Sequence, residues 1–434
     1  MKITPKNVHK TLGSYMLADG YDFVLDLKKS NGSRIYDSKN KKWFIDFFSF
    51  FASNPLGMNH PKLNNAKFLR EIGKVSISKP SNSDIYTVEM AEFVETFTRI
   101  AKPDYIKHMF LISGGALAVE NALKVAFDWK TRLNIERGII KEAFKVIHFK
   151  QAFHGRTGYT ISLTNTFDPR KTKLFPKFDW PRITNPKITF PLKDHLKEVK
   201  ELEDKAYKEI DEAIFKYGNE LSSILIEPIQ GEGGDNHFRP EFMQNLKRIA
   251  DENDLMFIVD EIQSGMGMTG KWWACQHADV KPDIICFGKK AQVCGIMAGD
   301  KVDIIKDNVF NESSRINSTW GGNLTDMVRS KRFLEIIEED NLVENANKMG
   351  KVILDELSKL EEKYKNISNV RGKGLMCAFD FPSNNERNQF IHNLWNNGLI
   401  VLPCGEKSVR FRPTLDVTKE IIKEAFKIID NVLK

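Results

Sequence analysis

The chain is poor in cysteine, has no long apolar run and carries no block of one charge. Each lack sets a class of protein aside. Five cysteines occur, Cys275, Cys286, Cys294, Cys377 and Cys404. The count is odd and no pair has Cys-x-x-Cys spacing, so neither a disulfide framework nor a metal site is expected and a reducing compartment fits. The greasiest stretch, WFIDFFSFFAS, is too short to span a membrane and is broken by Asp46. The opening MKITPKNVHKTLGSYML has no apolar signal core and no cleavage site, so a cytoplasmic location without a membrane partner is expected. The net charge of +7 is spread along the chain, with basic residues alternating with acids. No basic arm for nucleic acid stands out. Repeats and low-complexity tracts are also missing. What remains is an ordinary soluble balance, 41% hydrophobic and 28% charged, over 434 residues. That length suits two or three domain-sized units.

The middle of the chain alternates short apolar runs with runs of helical period. HMFLIS (108–113), KVIHF (145–149), SSILIE (222–227), LMFIVD (255–260) and DIICFG (283–288) are expected as strands. ALAVENALKVAFDWKTR (116–132) and EFMQNLKRIADEND (241–254) are expected as helices. Fully apolar strands alternating with helices predict an α/β fold whose mostly parallel sheet is covered on both faces. Beyond about residue 330 the texture changes. One long helical stretch, SKRFLEIIEEDNLVENANKMGKVILDELSKLEEKY, precedes GLMCAFDF, GLIVLPCG and SVRFRPTL, which look like strands of a smaller α+β unit. The final KEIIKEAFKIIDNVLK is an amphipathic helix. The division expected is 1–65, a segment packing with the small unit, 66–330, a large unit, and 331–434, the small one.

In open parallel sheets, ligands bind beyond the carboxyl ends of the strands. The residues at those ends are therefore the informative ones. HMFLIS is followed by Gly114-Gly115-Ala116 and then a helix, a turn whose bare N–H groups suit a phosphate. SSILIE ends at Glu227 and leads into Gln230-Gly231-Glu232-Gly233-Gly234; LMFIVD ends at Asp260, and DIICFG runs into Lys289-Lys290. Singly, each has a plain alternative: a turn, a capping acid, a solvated lysine. Together they match what pyridoxal phosphate requires. That cofactor needs a lysine amine for a Schiff base, an acid facing its ring nitrogen and a cup for its phosphate.

DEIQSGMGMTG followed by PDIICFGKK resembles the signature of the class III (ω-amino acid) aminotransferases. The likeness extends over nearly the whole chain, through SGGALAVENALKVAFDWK, QAFHGRTGYTISLTNT, EPIQGEGGDNHFRPEF, FGKKAQVCG, STWGGNLTDMVR and CGEKSVRFRPTL. It implies the type I pyridoxal-phosphate transferase fold. In that fold a large domain with a mostly parallel seven-stranded sheet joins a smaller α+β domain. It also implies a homodimer with shared active sites. By the family pattern Lys289 is the Schiff-base lysine and Lys290 a structural neighbour. Asp260 pairs with the pyridine nitrogen, and Gln263 lies near the ring oxygen. Gly115 and Ala116 form the phosphate cup, Thr319 reaches it from the other subunit, and Phe153 stacks on the ring. Arg156 holds a substrate carboxylate, Arg410 is the second carboxylate-binding arginine and Glu232 is its switchable partner. Arg412, two residues after Arg410, is expected on the opposite face of the strand. His154 is taken as a packing or hydrogen-bonding residue.

The resemblance implies that the ε-amino group of L-lysine passes to 2-oxoglutarate, giving 2-aminoadipate 6-semialdehyde, which cyclises, and L-glutamate. Ornithine or 4-aminobutyrate as donor, a racemase of the same fold, and a non-catalytic binding protein are the competing readings. An intact Lys289 and Asp260 weigh against the last. Asn54-Pro55, in FFASNPLGMNHP, has no clear match in the family pattern, and Pro55 restricts the backbone at Asn54.

Overall fold

The strand runs carry charges only at their ends and the helices between them have an apolar face, so the sheet is buried by helices on both sides. The computed structural model, which describes residues 2–434, has this arrangement. Seven strands form the main sheet, in the order Ile106–Ile112, Cys294–Gly299, Ile284–Phe287, Met256–Asp260, Leu221–Ile226, Lys145–Phe149 and Arg182–Ile183. Neighbours from Ile284–Phe287 to Arg182–Ile183 pair in parallel, and Cys294–Gly299 is antiparallel to both of its neighbours.

Side chains alternate across this sheet, as the period of two requires. Phe257, Val259, Ile285 and Phe287 point into one core. Met256, Ile258, Ile284 and Cys286 point into the other, against the helix Gly115–Glu136. The first core is closed by helices that include Val88–Ile100 and Pro240–Glu252. Thr87 caps the former by accepting from the Met90 N–H.

The smaller unit is built on an antiparallel sheet in the order Ser368–Lys373, Met376–Asp380, Ser408–Phe411 and Leu402–Cys404. Its core takes in Ile45, Phe47 and Leu56 from the start of the chain together with the helix Lys419–Leu433. A third sheet joins Arg34–Asp37, Lys42–Asp46 and Leu399–Ile400. GLIVLPCG is therefore not one strand. Leu399–Ile400 pairs with the N-terminal segment, and Leu402–Cys404 with Ser408–Phe411.

The long helical stretch is likewise two helices, Leu324–Glu339 and Leu342–Lys363. They break at Asn341, which adopts φ 51°, a left-handed conformation that asparagine tolerates better than most residues. The first of them runs through residue 330.

One local feature has no signature in the residues. Ser49, Phe50, Phe51 and Ala52 all have positive φ, from 37° to 62°. Side chains other than glycine disfavour this region by roughly 1–2 kcal/mol each. Asp46 starts the turn, its Oδ1 accepting from the N–H groups of Phe48 and Ser49 at 2.9 and 2.7 Å.

Candidate active site

The carboxyl ends of the central strands open on a cavity of about 540 Å³. Gly115, Ala116, Phe153, Arg156, Glu232, Asp260, Gln263 and Lys289 all line it. Eight residues singled out from five separated stretches of chain thus meet in one place, within the size range of small-molecule sites.

Lys289 comes just after the strand Ile284–Phe287 with φ 49°, so the chain turns sharply there and the residue lines the cavity. Its Nζ donates to the Phe51 carbonyl at 3.1 Å, which ties it to the left-handed turn. Burial lowers the amine's pKa to about 8, and the nearby positive charges of Arg410 and Arg412 push the same way. Such an amine is far more nucleophilic at neutral pH than a surface lysine. Lys290 is buried, and its Nζ donates to the carbonyls of Gln263 at 2.8 Å and Ala52 at 3.2 Å. It fastens the turn to the loop after Asp260.

Asp260 ends its strand with Oδ1 accepting from the Ile262 N–H at 3.1 Å. His154 Nδ1 donates to Oδ2 at 2.8 Å, both side chains being buried. The carboxylate can only accept, so it selects the His154 tautomer and is in turn held in one rotamer. Of the two roles expected for His154, packing or hydrogen bonding, the structure has the second, and the bond orients the acid. Glu227, on the adjacent strand end, accepts from the N–H groups of Phe153 and Gly231. Burial, and then the Asp260 charge, raise its pKa well above the usual carboxylate range.

The helix Gly115–Glu136 points its N-terminus into the cavity with no acid in its first turn. Gly114 caps it at φ 111°, a conformation open to glycine alone. Opposite, Gly155 at φ 127° leaves room that a Cβ would close, since it would stand 2.4 Å from the Ala116 Cβ. The result is a cup of bare N–H groups at a positive helix end. A half-buried amine, a fixed carboxylate and an anion cup in one cavity fit the donor set of pyridoxal phosphate.

Two buried arginines stand behind Gln263 rather than in the cavity wall itself. Arg410 Nη1 donates to Gln263 Oε1 at 3.0 Å, and Arg412 reaches the same oxygen through Nη2 at 3.0 Å. The expectation that Arg412 faces away is corrected here. Residues two apart in an extended chain share a face. Arg412 also forms a fully buried ion pair with Asp235. Glu232 does not bond to Arg410. Its Oε1 accepts from Lys171 Nζ at 2.6 Å and Thr166 Oγ1 at 2.7 Å. Arg156 is exposed in the cavity wall.

Thr319 stands apart from this group. It is exposed, and its carbonyl accepts from Ser81 Oγ at 2.7 Å. Asn54-Pro55 follows Ser53, a lining residue, and the Pro55 carbonyl accepts from the Leu415 N–H at 2.8 Å.

The residues that sequence reasoning missed are Lys171, Thr166 and Asp235, and it did not name Asp260 as the partner of His154. Their contacts join segments far apart in the chain. Only the acid-rich glycine loop around Glu232 hinted that a cation would be drawn in.

The aminotransferase class-III family model matches residues 16–433. An L-lysine-epsilon aminotransferase of Mycobacterium tuberculosis is 48% identical over 433 residues, covering 99% of this chain and 96% of that one. One from Streptomyces clavuligerus is 44% identical, covering 98% and 93%. A solved lysine aminotransferase from M. tuberculosis superposes with a TM-score of 0.97 at 48% identity, covering 99% of both chains. The chain belongs to the class-III aminotransferase family. Pyridoxal phosphate is the cofactor of that family.

Proposed function

We propose that the protein transfers the ε-amino group of L-lysine to 2-oxoglutarate, giving 2-aminoadipate 6-semialdehyde, which cyclises, and L-glutamate. The observation that carries the reading is the meeting of Lys289, Asp260 and the helix N-terminus in one cavity whose wall also holds Arg156, Glu232 and Gln263. The donor is taken from the relatives at 48% and 44% identity, both lysine-epsilon aminotransferases.

Bound pyridoxal phosphate supplies an electrophilic carbon for the amine and a ring that takes up the electron pair left when a C–H proton departs. The residues of the chain do the rest. Gly115 and Ala116 would hold the phosphate through their N–H groups, and Phe153 would pack on the ring. Asp260, held by His154, would supply the acid for the ring nitrogen. Gln263, anchored by Arg410 and Arg412, would serve the ring oxygen. Lys289, neutral in an appreciable fraction of molecules, is the residue that would hold the cofactor, and its free amine would serve as the general base that takes the proton from the ε-carbon of lysine and carries it as an ammonium until it is given up to the aminated product.

Arg156 binds the distal carboxylate of either substrate, its planar fork matching the two oxygens. Arg410 binds the second carboxylate of 2-oxoglutarate. During the lysine half it is covered by Glu232.

In this reading residues 66–330 form the cofactor-binding unit, residues 331–434 the smaller one, and residues 1–65 pack with the latter. Two copies associate so that Thr319 of one completes the phosphate cup of the other. That arrangement is supported by an exposed surface around Thr319 and Trp320, tied by side-chain bonds to Ser81, Asn82 and Ser83 and flanked by exposed Ile85, Tyr86 and Val88. A cytoplasmic site of action is part of the proposal. No helix among the described residues is long and apolar enough to cross a membrane.

The test is the visible spectrum of the cofactor-loaded protein before and after L-lysine is added without any keto acid. The lysine-bound cofactor band should give way to that of the aminated cofactor. A band that ornithine or 4-aminobutyrate discharges and lysine does not would assign the donor elsewhere.

A further inference from the structure

The switch between Glu232 and Arg410 leaves open what Glu232 does when it is not on Arg410. Lys171 ends the short turn Pro169–Lys171. That turn is braced by Asp168, whose Oδ1 accepts from the Arg170 N–H at 3.1 Å and whose carboxylate pairs with the Arg170 guanidinium. From there Lys171 lines a neighbouring cavity of about 710 Å³, together with Arg156. It reaches through to Glu232 in the catalytic one. Its Nζ also stands 5.9 Å from the centre of the Phe153 ring. The ammonium therefore lies at the boundary of the two cavities, paired with the switch carboxylate and at the outer edge of cation–π range from the proposed ring-stacking residue.

The bonding around the switch is uneven. Glu232 Oε1 takes two donors, whereas Oε2 is buried with no partner. Arg410 likewise has a buried Nε without a partner. In this state the carboxylate is held by Lys171, and Arg410 bonds to Gln263 with no carboxylate in direct ion pair with it among the described residues. A dicarboxylate can then meet Arg410 without first displacing Glu232. Lysine brings an apolar stem and leaves the buried Arg410 charge uncompensated, which favours movement of Glu232 onto it. The move strands Lys171. Its side chain is 32% exposed, so water can take over its hydrogen bonds at little cost.

We propose that Lys171 is a specificity-determining residue, the competing partner that draws Glu232 off Arg410 and holds the site ready for the dicarboxylate acceptor. This rests on the aminotransferase reading above and assigns the resting position of its switch. Lys171 acts through Glu232 and is a positioning residue.

The probe is glutarate, a dicarboxylate that cannot react, titrated into the cofactor-loaded enzyme by calorimetry. Lys171→Met should weaken glutarate about tenfold, the effect of one charge-assisted hydrogen bond transferred from Lys171 to Arg410. The ratio of kcat/KM for 2-oxoglutarate to that for lysine should fall by a similar factor. In a Glu232→Ala background the same change should shift glutarate affinity by less than about twofold, because no carboxylate is left to compete. Lys171→Arg should retain the wild-type affinity, which also guards against a methionine variant that folds poorly. Unchanged glutarate binding in Lys171→Met overturns the proposal. So does a loss that persists undiminished beside Glu232→Ala, since Lys171 would then touch the ligand itself. Failure of the underlying reading has a different signature, an Arg410→Met enzyme that binds glutarate as the wild type does.

Discussion

The lowered pKa of Lys289 gives the prediction most easily turned into a number. Its amine titrates near 8 rather than 10.5, chiefly through burial and secondarily through Arg410 and Arg412. At pH 7 roughly one molecule in ten then carries a neutral amine, against about one in three thousand for an unperturbed lysine. Only the neutral amine attacks the cofactor aldehyde, so the advantage is about 300-fold at that pH. The perturbation is removal of the cofactor followed by its return at a series of pH values. The assay is the rate at which the visible band of the bound cofactor reappears. That rate should rise about tenfold per pH unit from pH 6 and flatten near pH 8. Arg410→Met removes one of the positive charges and should move the bend upward, with the plateau unchanged. A rate that continues to climb tenfold per unit beyond pH 9 would refute the account of the site as a place where burial and the paired arginines discharge the amine. Lys289→Ala, with no amine, should show no band at any pH.

His154→Phe removes a buried donor to Asp260 and should lower kcat by roughly ten- to a hundredfold with a much smaller change in KM, measured in steady state with both substrates. Glu232→Ala should slow the lysine half-reaction more than the 2-oxoglutarate half, followed by single-turnover spectroscopy; an equal loss in both would end the switch idea. Asp46 is buried and its pKa is raised from 3.8 to about 6. The folded state therefore keeps a proton that the unfolded chain loses, so stability falls as pH rises from about 4 to about 6. The full penalty, about 3 kcal/mol, is present above that range. Asp46→Asn keeps the acceptor for Phe48 and Ser49. In urea unfolding it should gain up to about 3 kcal/mol at pH 8 and nothing near pH 3.

The parallel sheet was legible because its strands are unbroken apolar runs between helical periods; KVIHF is a strand over the residues expected, Lys145–Phe149. The strand ends were legible as chemistry because an acid, a lysine and a glycine turn at the same edge have few common uses. What was not legible depends on contacts across the chain. The left-handed turn Ser49–Ala52 contains no glycine or asparagine, and it is held by donors from Lys289 and Lys290, with Gln292 donating to Ser53 just after it. GLIVLPCG has one hydrophobic texture and serves two sheets, because Val401 between the two paired segments belongs to neither ladder. The break at Asn341 lies inside an amphipathic pattern that continues on either side. Lys171 sits in a stretch of polar and basic residues where nothing marks one lysine from the next; only the fold brings it to Glu232.

The most direct measurement uses L-lysine labelled with ¹⁵N at the ε-nitrogen, incubated with the cofactor-loaded enzyme and 2-oxoglutarate, and follows the label into glutamate. The account predicts labelled glutamate from ε-labelled lysine, none from α-labelled lysine, and none from either with Lys289→Ala. Label arriving from the α-nitrogen, or glutamate that stays unlabelled while lysine is consumed, would contradict it.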